Sequence, residues 1–196
     1  MKDWTGNKAT AFGQIGARNF ATNEREQNDF YASPPKALED LLKVEHFENV
    51  WECACGAGHL SEVLKKYGIH GRSSDLFDRG YSGAEILDFR RQWDKWDGDI
   101  LTNPPFRYAQ EFVEKGLECV NEGRKVAMLL RIQFLEGKKR RNLFREQPPQ
   151  KICVWSERIA CAMNGDFISI KHGSPMMFAW FVWVKGFQGD PIIKWL

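Results

Sequence analysis

The chain has 196 residues, of which 43% are hydrophobic and 28% charged, with a formal net charge of +2. That length supports one domain whose core needs no disulfide or metal staple, and the balance excludes a disordered tail, a collagen-like chain and a coiled coil. The charge is too mild to announce a nucleic-acid partner, so the distribution of basic residues matters more than their sum.

Residues 1–28 are polar, rich in Gly, Asn and Thr, and without a sustained period, which predicts a flexible leader. A helix is predicted to begin at Ser33-Pro34-Pro35, capped by Ser33, with Leu38, Leu41 and Leu42 as its apolar face. Asn49 to Cys53 reads as a short buried strand that runs into the turn Cys55-Gly56-Ala57-Gly58. A helix follows, with Leu60, Val63, Leu64 and Tyr67 on one side. Residues 71–75 read as a second strand, 76–97 as loop with short elements, and 99–102 as a third strand ending in Asn103-Pro104-Pro105. Residues 107–121 carry Ala109, Phe112, Val113, Leu117 and Val120 at helical spacing. Residues 126–132 form an apolar strand and 137–147 a basic, partly helical stretch. The end is strand-rich at 152–155, 168–170, 177–184 and 192–195, with a hairpin turn at 186–191. Alternating strands and helices followed by strands imply an α/β sheet with an antiparallel edge.

Chemistry concentrates at three places. Asn103-Pro104-Pro105-Phe106 closes a buried strand. Its prolines fix φ and remove donors, which leaves carbonyls and the Asn103 side chain as acceptors beside an aromatic face, a seat for an exocyclic amine. The same string also serves as a purely structural turn. Trp51 to Gly58 puts the acid Glu52 at a strand end before a Gly-x-Gly turn into a helix. That arrangement suits a nucleoside cofactor but lacks the third glycine of the dinucleotide fingerprint. Asp75 stands 23 residues after Glu52, where an acid binds ribose hydroxyls or sits as a solvated turn residue. All three fall at the C-terminal edges of neighbouring strands, where open α/β sheets bind ligands.

In these motifs the chain resembles the S-adenosylmethionine-dependent amino-methyltransferases, specifically the small phage- and plasmid-type DNA adenine-N6 methyltransferases. Glu52 to Gly58 is similar to their cofactor motif, with Cys53 where they carry proline, so Glu52, Ala54, Cys55, Gly56 and Gly58 are implied cofactor residues. Asp29 to Pro34 resembles their upstream motif and adds Tyr31, Ser33 and Pro34. Asp75, with Leu76 after it, matches the ribose-binding acid, and Asp88-Phe89 the pair beside the cofactor adenine. Asn103, Pro104, Pro105 and Phe106 match the catalytic motif. Arg131 to Gly137 and Lys171 to Pro175 are similar to downstream stretches of the same group, so the likeness covers roughly residues 29–185.

The resemblance implies a Rossmann-like class I methyltransferase fold, a mostly parallel, twisted, seven-stranded sheet with an antiparallel C-terminal strand, and S-adenosyl-L-methionine as cofactor. It implies methyl transfer to N6 of adenine in DNA. The base is flipped from the stack, Asn103 and Pro104 hold its amine, and Phe106 stacks on it. Methylation of RNA at adenine N6 or guanine N2 stays open. So does glutamine-N5 methylation of protein, against which Phe106 in place of tyrosine counts. A non-catalytic nucleic-acid scaffold is opposed by the intact Asn103, Gly56 and Gly58. The basic run Lys138, Lys139, Arg140, Arg141 and Arg145, with Lys151, holds phosphates or forms a solvated helix face. Arg18, Arg25 and Lys36 contact nucleic acid or nothing, and Trp93 and Trp96 are candidates to stack on base or cofactor. His59 and His172 read as structural.

No apolar run is long enough to span a bilayer, and the opening MKDWTGNKAT lacks the apolar region of a secretory signal. The cysteines Cys53, Cys55, Cys119, Cys153 and Cys161 are odd in number and scattered, which reads as reduced thiols in a cytoplasmic protein. C-x-C without a partner pair is poor zinc spacing, so no metal is expected. Residues 29–196 leave no block for a separate target-recognition domain. Specificity is therefore expected to be short or relaxed, and to come from loops 76–97 and 131–150, the leader, or a protein partner.

Overall fold

The stretch Lys125-Val-Ala-Met-Leu-Leu-Arg131 is apolar on both faces between two cations, the pattern of a strand covered on both sides. It forms the centre of the fold. A computed structural model of the chain describes residues 31–157, 159, 161–163 and 176–196. The predicted leader, Asp29 and Phe30, the strand at 168–170, and Lys171 to Pro175 with His172 lie outside the described residues.

The strands are β1 (Tyr31–Ala32), β2 (Val50–Glu52), β3 (His70–Asp75), β4 (Glu85–Ile86), β5 (Ile100–Thr102), β6 (Lys125–Arg131), β7 (Lys151–Val154), β8 (Ala162–Met163), β9 (Phe178–Val184) and β10 (Ile192–Trp195). The helices are α1 (Pro35–Leu42), α2 (His59–Lys66), α3 (Ala109–Cys119) and α4 (Arg141–Glu146). Eight strands make one sheet in the order β4-β3-β2-β5-β6-β9-β7-β10, and β1 pairs antiparallel with β8 apart from it. Within the sheet only β9 runs antiparallel, against both β6 and β7. This is the expected seven-stranded arrangement with one antiparallel strand late in the chain, extended by β10.

β10 differs from expectation in its partner. It runs parallel to β7, with Ile192 opposite Lys151 and Trp195 opposite Val154, so residues 186–191 are not a hairpin turn. Both edges of β9 are already taken by β6 and β7, so the last strand cannot pair with it as a hairpin and joins the outer edge of β7.

Side-chain alternation along β6 divides the core. Val126, Met128 and Leu130 pack with Phe112, Val113 and Leu117 of α3, while Ala127 and Leu129 pack with Leu38 and Leu41 of α1 and Leu60, Val63 and Leu64 of α2. The result is a helix–sheet–helix sandwich. Asp99 fastens the N-terminal edge of this sheet. Its two carboxylate oxygens accept from the backbone N–H groups of Glu48 at 2.8 Å and Lys125 at 2.7 Å. The opposite, C-terminal edge carries the turns of the site.

Helix starts there are set by backbone more than by caps. Pro34 is the N-cap of α1 and no side chain caps it. Ser33, one residue upstream of the cap, is buried and lines a cleft instead. α2 begins after Gly58, whose φ is +82° and where a Cβ would sit 2.3 Å from the ring of Tyr81. Only glycine satisfies both conditions.

Candidate active site

The turns after β2, β3 and β5, joined by β1, enclose a cleft of about 1050 Å³ counted to its open mouth. Of the residues singled out from sequence, Tyr31, Ser33, Glu52, Ala54, Cys55, Asp75, Leu76, Asp88, Phe89, Asn103, Pro104, Pro105 and Phe106 line it. Pro34, Gly56 and Gly58 do not; they shape the turns that form its wall.

Asn103 sits at the end of β5. Its Nδ2 donates to the backbone oxygen of Tyr31 at 2.8 Å, and the β1–β8 pairing, Tyr31 opposite Met163, holds that carbonyl. This bond orients the amide. Oδ1 is left buried with no hydrogen-bond partner. A buried acceptor without a donor costs about 1–3 kcal/mol, and Oδ1 keeps the capacity to accept an N–H group. Pro104 and Pro105 contribute no donors. Phe106 packs its ring against Tyr31 at 5.6 Å and Phe178 at 5.8 Å, and the Arg131 guanidinium lies 4.4 Å from its centroid.

The acids take different roles. Asp75 is buried at the end of β3, and its Oδ2 accepts from Gly56 N at 2.8 Å and its Oδ1 from Phe77 N at 3.0 Å. Two backbone donors fix the carboxylate and leave lone pairs free for hydroxyls. Glu52 is deeper. It accepts from the Ser61 hydroxyl, which also bonds Ser73 at 2.5 Å, and Ser73 bonds His70 Nε2 at 2.7 Å. Burial dominates over the Ser61 donor and pushes the Glu52 carboxyl up to about 8, so it is largely protonated at neutral pH. Asp88 is the reverse case: the bidentate Arg90 pair, at 3.0 Å for both bonds, holds it below its ordinary range. Burial raises the thiols of Cys53 and Cys55, the latter to about 12, and lowers His59.

An apolar slot lies beside Asp88. Phe89 packs edge-on against Trp51 and tilted against Phe112, each at 5.2 Å, and Leu76, Leu87 and Phe112 complete the lining. Sequence reading missed Phe112, Arg79, Arg90, Arg107 and Tyr108 among the lining residues. Adjacency to the Asn103–Phe106 turn was the available signal for Arg107 and Tyr108.

The basic segment is divided. Lys138, Lys139, Arg141 and Arg145 are exposed. Arg140 instead donates to the backbone oxygens of Phe134 at 2.7 Å, Gln133 at 3.4 Å and Glu136, with its guanidinium over the Phe134 ring. Lys151 joins Lys125 on the buried Glu45 carboxylate, and Lys36 bridges Asp40 and Glu157. Trp96 is likewise structural, donating to Asn49 O at 2.9 Å and packing on Trp51. Trp93 is 83% exposed with the Lys115 ammonium 4.8 Å from its ring.

No family model and no curated protein matches the sequence. Solved structures resemble it in fold. A candidate class I S-adenosylmethionine-dependent methyltransferase from Listeria monocytogenes superposes with a TM-score of 0.59 at 12% identity, over 96% of this chain and 72% of that one. A structure of the type I R-M system, solved for its complex assembly and conformational transition, gives 0.53 at 15%, over 96% and 48%. A predicted O-methyltransferase from Agrobacterium tumefaciens gives 0.51 at 9%, over 78% and 81%. At these identities the likeness is one of fold, and the fold is the Rossmann-like class I methyltransferase fold. Among the described residues no helix is long and apolar enough to cross a membrane.

Proposed function

We propose that the protein transfers the methyl group of S-adenosyl-L-methionine to N6 of adenine in DNA. The observation that carries this reading is the buried, partnerless Oδ1 of Asn103, held in place by the Nδ2 bond to Tyr31 and followed by two prolines. The cleft fits the cofactor part by part. Its apolar slot of Phe89, Leu76 and Phe112 beside Asp88 suits an adenine, the fixed Asp75 carboxylate a ribose diol, and Tyr31, Ser33 and Glu52 in its protonated form the zwitterionic amino-acid end. When bound, the cofactor supplies an electrophilic methyl group on a sulfonium.

The chain's own residues prepare the amine. Adenine N6 is a weak nucleophile because its lone pair is delocalised into the ring. Asn103 Oδ1 accepts one N–H and the Pro104 carbonyl the other, which localises the lone pair and aims it. Phe106, braced by Tyr31 and Phe178, packs on the base. Holding both reactants in line supplies much of the rate, and the methylated amine loses its extra proton to water. Outer phosphates fall to Lys138, Lys139, Arg141 and Arg145. The likeness to a type I R-M structure supports a protein partner as one source of sequence specificity for residues 29–196, read as a single methyltransferase domain.

Labelled cofactor incubated with separate DNA, RNA and peptide pools tests the reading. Label is expected in DNA, and Asn103→Ala is expected to lower it at least a hundredfold. Label confined to RNA or to peptide glutamine would transfer the chemistry to that substrate. Full activity of Asn103→Ala would remove the mechanism.

A further inference from the structure

The Glu52 carboxyl is joined to the start of β3 by a file of hydroxyl groups that the methyl-transfer mechanism does not use. Ser61, in α2, donates to Glu52. Its Oγ lies 2.5 Å from that of Ser73, and Ser73 Oγ lies 2.7 Å from His70 Nε2. Ser61 and Ser73 are buried, and His70 is half-buried. An irregularity in β3 makes the file possible. Along a regular strand His70 and Ser73, three residues apart, point to opposite faces. Here Val50 pairs with His70 but Trp51 with Arg72, so Gly71 is an extra residue in β3. A bulge re-aims side chains, and this one brings His70 to the face shared by Ser73 and its cross-strand partner Glu52. Glycine fills the bulge because a Cβ there would lie 2.3 Å from Asn49 Oδ1 and 2.8 Å from the Trp96 ring.

Each hydroxyl has one proton to donate. Ser61 uses its own toward Glu52, so it accepts from Ser73. Ser73 then has no proton left for His70 and accepts from it, which puts a hydrogen on Nε2. Burial and the Lys65 ammonium hold His70 below its ordinary value against the pull of Glu62. The ring is therefore neutral at neutral pH, and its one proton faces Ser73. At the other end, burial, aided by the Asp75 carboxylate, keeps Glu52 protonated despite the Ser61 donor. With Ser61 donating to it, the carboxyl keeps its own O–H for the cleft that Glu52 lines.

We propose that His70 positions Glu52 for the cofactor through Ser73 and Ser61: its Nε2–H fixes the direction of donation along the file, so that Glu52 turns its hydroxyl toward the carboxylate of the amino-acid end. Without that hydrogen the file runs the other way, Glu52 donates to Ser61, and the cleft loses a donor. This rests on the cofactor reading above. It makes His70 a positioning residue that acts from outside the lining of the cleft.

Two measurements test it. Nitrogen NMR of histidine-labelled protein at neutral pH reads the His70 tautomer, and the Nε2–H form is expected. Calorimetric titration then compares S-adenosyl-L-methionine with 5′-methylthioadenosine, which lacks the amino-acid end. His70→Leu and Ser73→Ala are each expected to weaken S-adenosyl-L-methionine about tenfold, the worth of one hydrogen bond to a charged group. Neither is expected to change the affinity for 5′-methylthioadenosine. Both cut the same file, so the double variant is expected to lose no more than either alone. His70→Gln offers an amide N–H in place of Nε2–H and is expected to keep most of the affinity. Thermal melting checks the fold, and Ser73→Ala with His70→Gln carries the test if His70→Leu does not fold. A bare Nε2 overturns the inference, as does unchanged S-adenosyl-L-methionine affinity in a folded Ser73→Ala. Equal losses for the two ligands, or a loss in His70→Gln as large as that in Ser73→Ala, reduce the file to a structural support and overturn it too. A parent protein that does not bind S-adenosyl-L-methionine overturns the cofactor reading itself, and this inference with it.

Discussion

Glu52→Gln isolates the energetic cost of the acid beneath the cleft. Glu52 is 2% exposed, and burial raises its carboxyl from an ordinary 4.5 to about 8. As pH rises, the unfolded chain gives up this proton first. Between about pH 4.5 and 8 the folded state therefore binds more protons, and the contribution of this group to stability falls as pH rises through that window. At about 1.4 kcal/mol per unit of pKa, the full difference is on the order of 4–5 kcal/mol above pH 8. Glutamine mimics the protonated form: it keeps an acceptor for the Ser61 hydroxyl and cannot ionise. Urea unfolding of both proteins at pH 5, 6, 7 and 8 measures the gap between them. That gap is expected to widen in favour of Glu52→Gln by about 1.4 kcal/mol per pH unit, or ~1.5 M in midpoint over the range for an m-value near 2.5 kcal/mol/M. His59 and His70, both lowered by burial, act with the opposite sign below their ordinary value, but in both proteins alike, so they cancel in the gap. A gap that stays constant from pH 5 to 8 would refute the reasoning.

Asp99→Ala strips two backbone N–H groups of their acceptor at the closed edge of the sheet, and urea unfolding is expected to show a loss of about 3 kcal/mol. At Gly98 a Cβ would lie 2.1 Å from the Asn49 backbone oxygen and 2.7 Å from Trp96 Nε1. Gly98→Ala is therefore expected to cost about 2–4 kcal/mol by the same measurement, and a neutral result would mean that the β2 entry loop gives way freely. Asp75→Ala removes the carboxylate held by Gly56 and Phe77. Calorimetric titration is expected to show at least tenfold weaker binding of S-adenosyl-L-methionine, and an unchanged Kd would take Asp75 out of the ribose site.

Local pattern carried much of the fold into view. Strands buried on both faces, such as Val126 to Leu130, declare themselves as apolar runs, and α3 declares itself by spacing. What pattern does not carry is partnership. Nothing in Ile192 to Trp195 says that it lies beside β7, because strand order depends on which sheet edges are vacant after the rest has formed. Two-residue strands such as β1 and β8 leave no periodic trace. The site shows the same division. Residues fixed by the end of a strand, namely Glu52, Asp75 and Asn103, were legible because a strand end places them. Arg90 meets Tyr108 through side-chain packing between separate segments, and one-dimensional spacing holds no record of that, whereas Arg107 and Tyr108 were signalled only by following the Asn103–Phe106 turn. The basic run shows the converse: Arg140 and Lys151 count as cations in the sequence but are engaged by backbone oxygens and by Glu45 in the fold.

The central claim is that Asn103 receives the exocyclic amine of adenine. Purified protein incubated with S-adenosyl-L-methionine and unmethylated DNA, followed by enzymatic digestion and mass spectrometry of the nucleosides, tests it most directly. The account predicts N6-methyl-2′-deoxyadenosine as the methylated product, absent with Asn103→Ala. Methylation on cytosine alone, or adenine methylation undiminished in Asn103→Ala, would contradict it.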